Sequence, residues 1–365
     1  MYIYHYIKNK YIKRGMRAYR AYRQFRDGIS ARRYMKSLMR KHNFPELSKD
    51  QIDEAKSYYK SRGYNLINTY WHQYYTNING EFHKEYMPYD IFNPIINPRL
   101  NQIKQSPALL DKNFTYNLFK DFNQPKRIVQ NINGFYFIND TIVSLNEAVQ
   151  ACKNYKKPLI IKPTIETGGG KMVNLFATDG EKTSLDNLCI KDLFKVYKKD
   201  FILQECLEQS DVLKSLNPSS LNTLRVVSYL NDEGVHILNS VLRVGKDGCV
   251  TDNFSTGGLF CGIKENGDLK GKGYNSKGGV VEMSYTGIPL KECKIPNYIA
   301  LKDMVKSMHF VVPYFRIISW DIGIDKNNTP CLIEYNTARQ GIDLQIAAGP
   351  YLGKFTDEIL AIGLE

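Results

Sequence analysis

Apolar and polar positions alternate most clearly between Arg316 and Asn336, in RIISWDIGIDKNNTPCLIEYN. Two apolar runs flank the turn-rich segment KNNTP, a pattern that predicts paired antiparallel strands. With Lys326–Thr329 as the loop, Asp325 faces Pro330 and the ladder sets Asp321 opposite Glu334. Opposed residues share a sheet face, and Asn336, two residues on, shares it with Glu334. Two carboxylates and an amide oxygen on strands that otherwise read as core suit a hard cation such as magnesium. The alternative is a surface hairpin with solvated charges.

The N-terminal pattern is helical. Ile12, Met16, Tyr19, Tyr22, Phe25 and Ile29 recur every three or four residues with arginines between them. Ser48 followed by Gln51 reads as a capping box that opens a helix running to about Arg62, stopped by Gly63. The cluster Tyr70, Trp71, His72, Tyr74 and Tyr75 continues the helical packing, and Asn93–Pro98 reads as a boundary. From about residue 106 the texture changes to short strands and glycine turns. The predicted division is a basic amphipathic extension (1–45), a helical region (46–105), a glycine-loop subdomain (106–205) and a metal-bearing subdomain (206–365).

Charge sharpens the first of these. Of 50 Lys and Arg and 37 Asp and Glu, 13 and one respectively fall in residues 1–41, so the net charge of +13 belongs almost wholly to that segment. The body is balanced and is not a general polyanion binder. The basic helix has three readings: a prefix packed on the body, a helix lying on an anionic membrane surface, or a nucleic-acid arm that lacks any reader motif. Seven scattered cysteines without a CxxC argue against a zinc site or a disulfide framework and fit a reducing cytoplasm. No apolar stretch is long enough to span a bilayer, and the N-terminus is too rich in Lys and Arg for a secretory signal. The six histidines show no ligand spacing.

Candidate chemistry is spread along the strands. LLDKNFTYNLFKDF (109–122) reads as a helix opening at Asp111 with Lys112 in its first turn, unfavourable unless an anion lies nearby. PLIIKP (158–163) is a buried-strand pattern holding one lysine, Lys162, which is costly without an anionic partner. It leads into Gly168, Gly169 and Gly170, whose backbone N–H groups can converge on a phosphate, and Lys171 starts the next strand. A flexible hairpin turn is the other reading of that loop. FILQECLEQ (201–209) is an apolar strand whose end leaves backbone groups free for an adenine edge. Thr223–Leu230 and Val235–Val244 form a hairpin about NDEG, and Arg225 and Arg243 lie inside its strands. A four-residue loop separates the two arginines and a three- or five-residue loop brings them onto one face. DNFSTGG (252–258) is a polar, glycine-ended loop suited to a substrate.

With DKN (111–113), IIKP with GGGK (160–171), LNTLRVV (221–227), LRVG (242–245), DNFSTGG and SWDIGID…LIEYN (319–336) in this order, residues 45–350 resemble the ATP-grasp superfamily, most of all its sugar-transfer-associated branch. The resemblance implies an α+β fold in which two α+β subdomains clamp ATP between antiparallel sheets. It implies that Lys112 and Lys162 hold the α- and β-phosphates, and that Gly168–Gly170 close over the β/γ-phosphates with Lys171 nearby. Glu205, Cys206 and Leu207 would meet adenine, while Glu208 and Asp211 are both candidates for the ribose-gripping acid. Asp321, Glu334 and Asn336 would hold one or two Mg2+ ions, and Arg225 and Arg243 would steady the γ-phosphate or an acyl-phosphate. Asn253, Ser255, Arg339, Gln340 and Asp343 are placed to read the carboxylate or the acceptor.

These expectations describe an ATP- and Mg2+-dependent carboxylate–amine ligase working through an acyl-phosphate on a carbohydrate or cell-surface polysaccharide precursor. A phosphotransferase on a sugar or other hydroxyl could use the same clamp, and a non-catalytic basic-arm protein with a degenerate fold is the third reading. The expected setting is the cytoplasm, with residues 1–41 suited to peripheral contact with an anionic membrane and no sequence-specific nucleic acid.

Overall fold

The computed structural model describes residues 26–165, 170–254 and 257–364. Most of the amphipathic stripe predicted at the N-terminus, Ile12 through Phe25, lies outside the described residues. The chain divides into two compact units, residues 1–101 with 338–365, and residues 102–337.

The first unit is helical. Residues 26–42 form a helix whose Met35 and Met39 are buried and whose Arg32 pairs with Asp90 at 2.7 Å. Ser48 and Gln51 make both bonds of the expected capping box ahead of the helix Lys49–Lys60, satisfying N–H groups that the first turn leaves unpaired. The helix Tyr70–Asn79 buries Trp71, His72, Tyr74 and Tyr75, and Tyr75 packs edge-on against Tyr86 at 5.1 Å. The C-terminal residues return to this unit. Buried Gln345 accepts the Met87 N–H at 2.8 Å and donates to the Met87 carbonyl at 3.1 Å. Phe92 and Tyr351 stack edge to face. The stretch predicted as one subdomain, 206–365, is therefore divided after Thr337.

The second unit carries two antiparallel sheets. The first comprises β1 (Arg127–Ile132), β2 (Phe135–Ile138), β3 (Thr141–Val143), β4 (Leu159–Pro163), β5 (Asn174–Phe176) and β6 (Phe201–Glu205), in the order β3-β2-β1-β6-β4-β5. Helices Leu145–Lys153 and Ile190–Tyr197 contribute Ala148, Cys152, Leu193 and Phe194 to its core. The second comprises β7 (Thr223–Asn231), β8 (Gly234–Val244), β9 (Leu259–Ile263), β10 (Leu269–Asn275), β11 (Val280–Val281), β12 (Ile317–Ile324) and β13 (Pro330–Asn336), in the order β11-β10-β9-β8-β7-β12-β13. Helix Tyr298–His309 packs Leu301, Val305 and Met308 into the same core as Trp320 and Phe315.

One buried chain of hydrogen bonds fixes β12 against β7. Trp320 Nε1–H donates to Ser228 Oγ at 2.7 Å, and that oxygen lies 2.7 Å from His309 Nδ1. His309 Nε2 lies 2.7 Å from the Phe315 carbonyl. A carbonyl only accepts, so Nε2 carries the proton and Nδ1 accepts from Ser228. Burial holds this imidazole neutral, lowering its pKa to about 4. Since Trp320 and Asp321 point to opposite faces, this anchor under the sheet also steadies the residue that faces the site.

Two β-bulges decide which side chains meet. In the β12–β13 hairpin the turn is one residue wider than expected, with Ile324 rather than Asp325 opposite Pro330. Ile333 is then the extra residue of a bulge, and Asp321 stands opposite Glu334 all the same. The predicted pairing is right, reached through two offsets that cancel. In the β7–β8 hairpin Asn231 faces Gly234 across a two-residue turn, a register that alone separates Arg225 from Arg243. A bulge at Leu238 shifts the ladder by one, so Arg225 faces Val241 and Arg243 faces Thr223. The two arginines share one face.

Candidate functional site

Asp321 is the centre of that face and is only 3% exposed. Arg225 grips it with two bonds, Nε to Oδ1 and Nη2 to Oδ2, the latter at 3.0 Å. Arg243 Nη1 donates to the same Oδ2 at 3.2 Å. Burial alone would raise the Asp321 pKa, but the two guanidinium groups outweigh it and hold the carboxyl below the usual range. Arg243 is itself fixed from behind, where Nη2 donates to Asp252 Oδ1 at 2.8 Å and Asn253 Oδ1 at 3.1 Å. Asp252 was visible in the sequence as the head of the DNFSTGG loop, but nothing local marks it as Arg243's partner.

Lysines approach from the other sheet. Asp111 caps the helix Lys112–Leu118 by accepting the Asn113 N–H at 2.9 Å. Lys112 N–H and Asn113 Nδ2 both bond Thr164, which follows β4, at 3.3 and 3.2 Å. Lys112 Nζ then lies 3.6 Å from Glu334 Oε2, the anion that a cation in a first helical turn calls for. Lys162 on β4 is 8% exposed. Burial first, then the charge of Lys112, lowers its pKa to about 8 against the opposing pull of Glu334. Four cations thus converge on two opposed carboxylates, with Asp252 behind one of the arginines.

Asn336 completes the predicted metal set. Its side-chain Nδ2 is buried and has no hydrogen-bond partner, and the two ends of an amide are assigned by their bonds, not seen. Turned over, the same amide presents an unpaired oxygen on the face that carries Asp321 and Glu334. No cluster of three His, Cys, Asp or Glu exists among the described residues, so a metal here draws on the amide as well as the two acids. An all-oxygen set of this kind fits Mg2+.

The end of β6 differs from expectation in its backbone. Glu205 N–H donates to the Lys126 carbonyl at 2.8 Å and Cys206 N–H to the Pro158 carbonyl at 3.0 Å. Those two donors are not free, because residues just ahead of β1 and β4, the strands on either side of β6, reach past its end. The Glu205 carboxylate accepts from Tyr155 Oη and from Lys157 Nζ, and these bonds hold its pKa down against the upward push of burial. Glu208 joins Lys326 at 2.9 Å and Lys157 at 3.4 Å. Asp211 stands exposed in the first turn of the helix Asp211–Leu216. Leu207 packs over Gly323, where a Cβ would stand 2.7 Å from Leu207 Cδ2.

Of the glycine loop, Gly168 and Gly169 lie outside the described residues, as does Ser255. Gly170 has φ +70°, and a Cβ there would stand 2.7 Å from Asn253 Nδ2, so the loop's end abuts residues 251–253. Lys171 is exposed, and β5 begins only at Asn174. Arg339 and Asp343 belong to the first unit. There Arg339 lies 3.7 Å from Asp27, and Asp343 accepts from Tyr75 Oη at 3.3 Å while burial raises its pKa.

A family model described as sugar-transfer associated ATP-grasp matches residues 92–360. No curated protein matches this chain. Among solved structures it is similar to an L-amino acid ligase from Bacillus licheniformis, at 12% identity over 66% of this chain and 43% of that one, with a TM-score of 0.38. It is also similar to the ATP-grasp ligase PsnB in complex with Mg, ADP and a phosphomimetic variant of its minimal precursor, at 13% identity over 73% and 62%, TM-score 0.40. An N5-carboxyaminoimidazole synthetase from Staphylococcus aureus complexed with ADP aligns at 10% identity over 67% and 52%, TM-score 0.40. The chain spans less than two thirds of the length of each of these. No helix among the described residues is long and apolar enough to cross a membrane. The family model covers well over half of the residues, and the chain belongs to the sugar-transfer associated ATP-grasp family.

Proposed function

We propose that this protein is an ATP- and Mg2+-dependent ligase that joins a carboxylate to an amine on a carbohydrate or cell-surface polysaccharide precursor, for example an amino acid to a sugar. The observation that carries the reading is the convergence of Lys112, Lys162, Arg225 and Arg243 on Asp321 and Glu334. Such an excess of buried positive charge is costly unless a polyanion fills it.

In this reading Lys112 and Lys162 hold the α- and β-phosphates, with Gly168, Gly169, Gly170 and Lys171 at the β/γ-phosphates. Asp321, Glu334 and Asn336 hold Mg2+, which when bound offsets charge on the phosphate oxygens. Arg225 and Arg243 stabilise charge developing on the transferred phosphoryl group. A substrate carboxylate oxygen attacks the γ-phosphorus, the bond to the bridging oxygen breaks and ADP leaves. The amine nitrogen then attacks the acyl carbon of the acyl-phosphate, and inorganic phosphate departs. Neither step needs a side-chain nucleophile. Leu207 and the neighbouring chain of Glu205 and Cys206 would line the adenine, Glu208 the ribose, and Asn253 and Ser255 the acceptor or its carboxylate.

The test is an ADP-release screen of amino acids against uronic-acid and amino-sugar acceptors, with products read by mass spectrometry. ADP release that needs both carboxylate and amine is expected; transfer of phosphate to a hydroxyl acceptor would replace the ligase with a phosphotransferase. A peripheral role for the basic N-terminal segment is the corresponding proposal on location. Met35 and Met39 are buried in the first unit, so the informative deletion is 1–25, which should abolish binding to anionic liposomes. Unchanged binding would sink it.

A further inference from the structure

The two arginines that meet at Asp321 are held differently. Arg225 spends both its side-chain bonds on Asp321 and is 16% exposed, against 8% for Arg243. Any cation that takes the Asp321 oxygens removes Arg225's anion. Arg243 keeps two other partners, Asp252 and Asn253, on its far edge.

Asp252 is built to stay in place. Its Oδ2 accepts both the backbone N–H of Thr223, at 3.0 Å, and the Thr223 hydroxyl, while Oδ1 serves Arg243. Thr223 stands directly opposite Arg243 in the β7–β8 ladder, so carboxylate and guanidinium are referred to the same rung. The loop behind is closed by Gly258, whose N–H donates to the Asn253 carbonyl at 3.1 Å. A Cβ at Gly258 would stand 2.9 Å from three backbone oxygens, those of Val244, Asp252 and Asn253, so only glycine permits this closure. Phe254, which follows Asn253, stacks on Phe260 at 4.2 Å with planes 5° apart. Arg243 Nε is buried with no partner, an N–H donor that an oxygen of a bound ligand can satisfy.

We propose that Asp252 is a positioning residue which, with Thr223 and Asn253, holds Arg243 stationary at the site when the Asp321 carboxylate is given over to a cation. The inference rests on the nucleotide-site reading for what Arg243 faces. A residue that acts through Arg243 loses its effect when Arg243 is gone, which a merely structural role does not.

The experiment measures binding of Mg2+ with the non-hydrolysable β,γ-imido analogue of ATP by calorimetry, alongside thermal unfolding. It uses the full chain, Asp252→Asn, Arg243→Ala and the double variant. Asp252→Asn is expected to weaken the analogue about tenfold, a loss of about 1.4 kcal/mol, and to change affinity less than twofold in the Arg243→Ala background. Equal losses in both backgrounds overturn the inference and leave the function standing. A wild-type chain that does not bind the analogue overturns the function and the inference with it. Should Asp252→Asn not fold, Thr223→Val strips the hydroxyl donor from Asp252 and is expected to give the same non-additive pattern at about threefold.

Discussion

Asp321→Asn is expected to destabilise the protein by roughly 3–5 kcal/mol, the range found when one partner of a buried ion pair is removed. Arg225 and Arg243 both point at this carboxylate from buried strands, and an amide would leave two guanidinium groups facing one another. Denaturant unfolding of wild type and variant measures the loss. The carboxyl pKa lies below its usual value in the fold, so its contribution is complete above the unfolded value of about 4 and is lost as pH falls through the folded one. The gap between the two proteins should therefore narrow on acidification. Glu334→Gln is the contrast. Glu334 is 37% exposed, lies 3.6 Å from Lys112 and shares a side-chain hydrogen bond with Asp321 across the ladder, and at that exposure its loss should cost the fold no more than about 1 kcal/mol. Both variants should lose Mg2+-dependent stabilisation by ATP. If Asp321→Asn unfolds with the wild type, the arginines do not depend on it.

Lys162→Met is expected to act in opposite directions on fold and ligand. The Lys162 pKa is lowered from 10.5 to about 8, chiefly by burial and next by Lys112, and at about 1.4 kcal/mol per unit the charge costs the unliganded fold roughly 3 kcal/mol. Methionine fills the volume without the charge, so the unliganded variant should be more stable by about 1–3 kcal/mol. The sign with pH follows. Above 10.5 the amine is neutral in both states and costs nothing. As pH falls from 10.5 to about 8 the unfolded chain takes up the proton first, and below 8 the penalty is constant. Unfolding measured at pH 7.5 and 10.5 should show the variant's advantage shrinking at the higher pH. Binding of Mg2+ and ATP should weaken, since a charged hydrogen bond to phosphate is worth about 1.5–3 kcal/mol. A variant less stable than wild type at pH 7.5 would give the ammonium a role in the fold instead.

Much of this site was written locally. The period-2 pattern of β12 and β13 set Asp321 against Glu334, and Ser48 with Gln51, and Asp111 ahead of Lys112, marked helix starts that the structure bears out. Lys162 stood out because an ammonium in an apolar strand needs a reason. These are signals a residue carries with its near neighbours: alternation, capping and the cost of burying a charge.

Only the tertiary structure decided the rest. Whether Arg225 and Arg243 share a face turned on the bulge at Leu238, and the β12–β13 pairing survived a wider turn only because a second bulge at Ile333 compensated. A bulge is settled by what packs against both sides of a strand, and β7 and β12 each lie between two neighbours. The N–H groups of Glu205 and Cys206 were taken by carbonyls of Lys126 and Pro158, residues some 80 and 50 positions away, which no reading of a strand end contains. Asp252 became a partner of Arg243 because β7 and β8 bring Thr223 beside both. The two facing strands that carry Asp321 and Glu334 were thus determined by sequence, whereas the rung on which the carboxylates meet and the cations that answer them were determined by register, because shifting a strand by one residue sends every side chain to the other face.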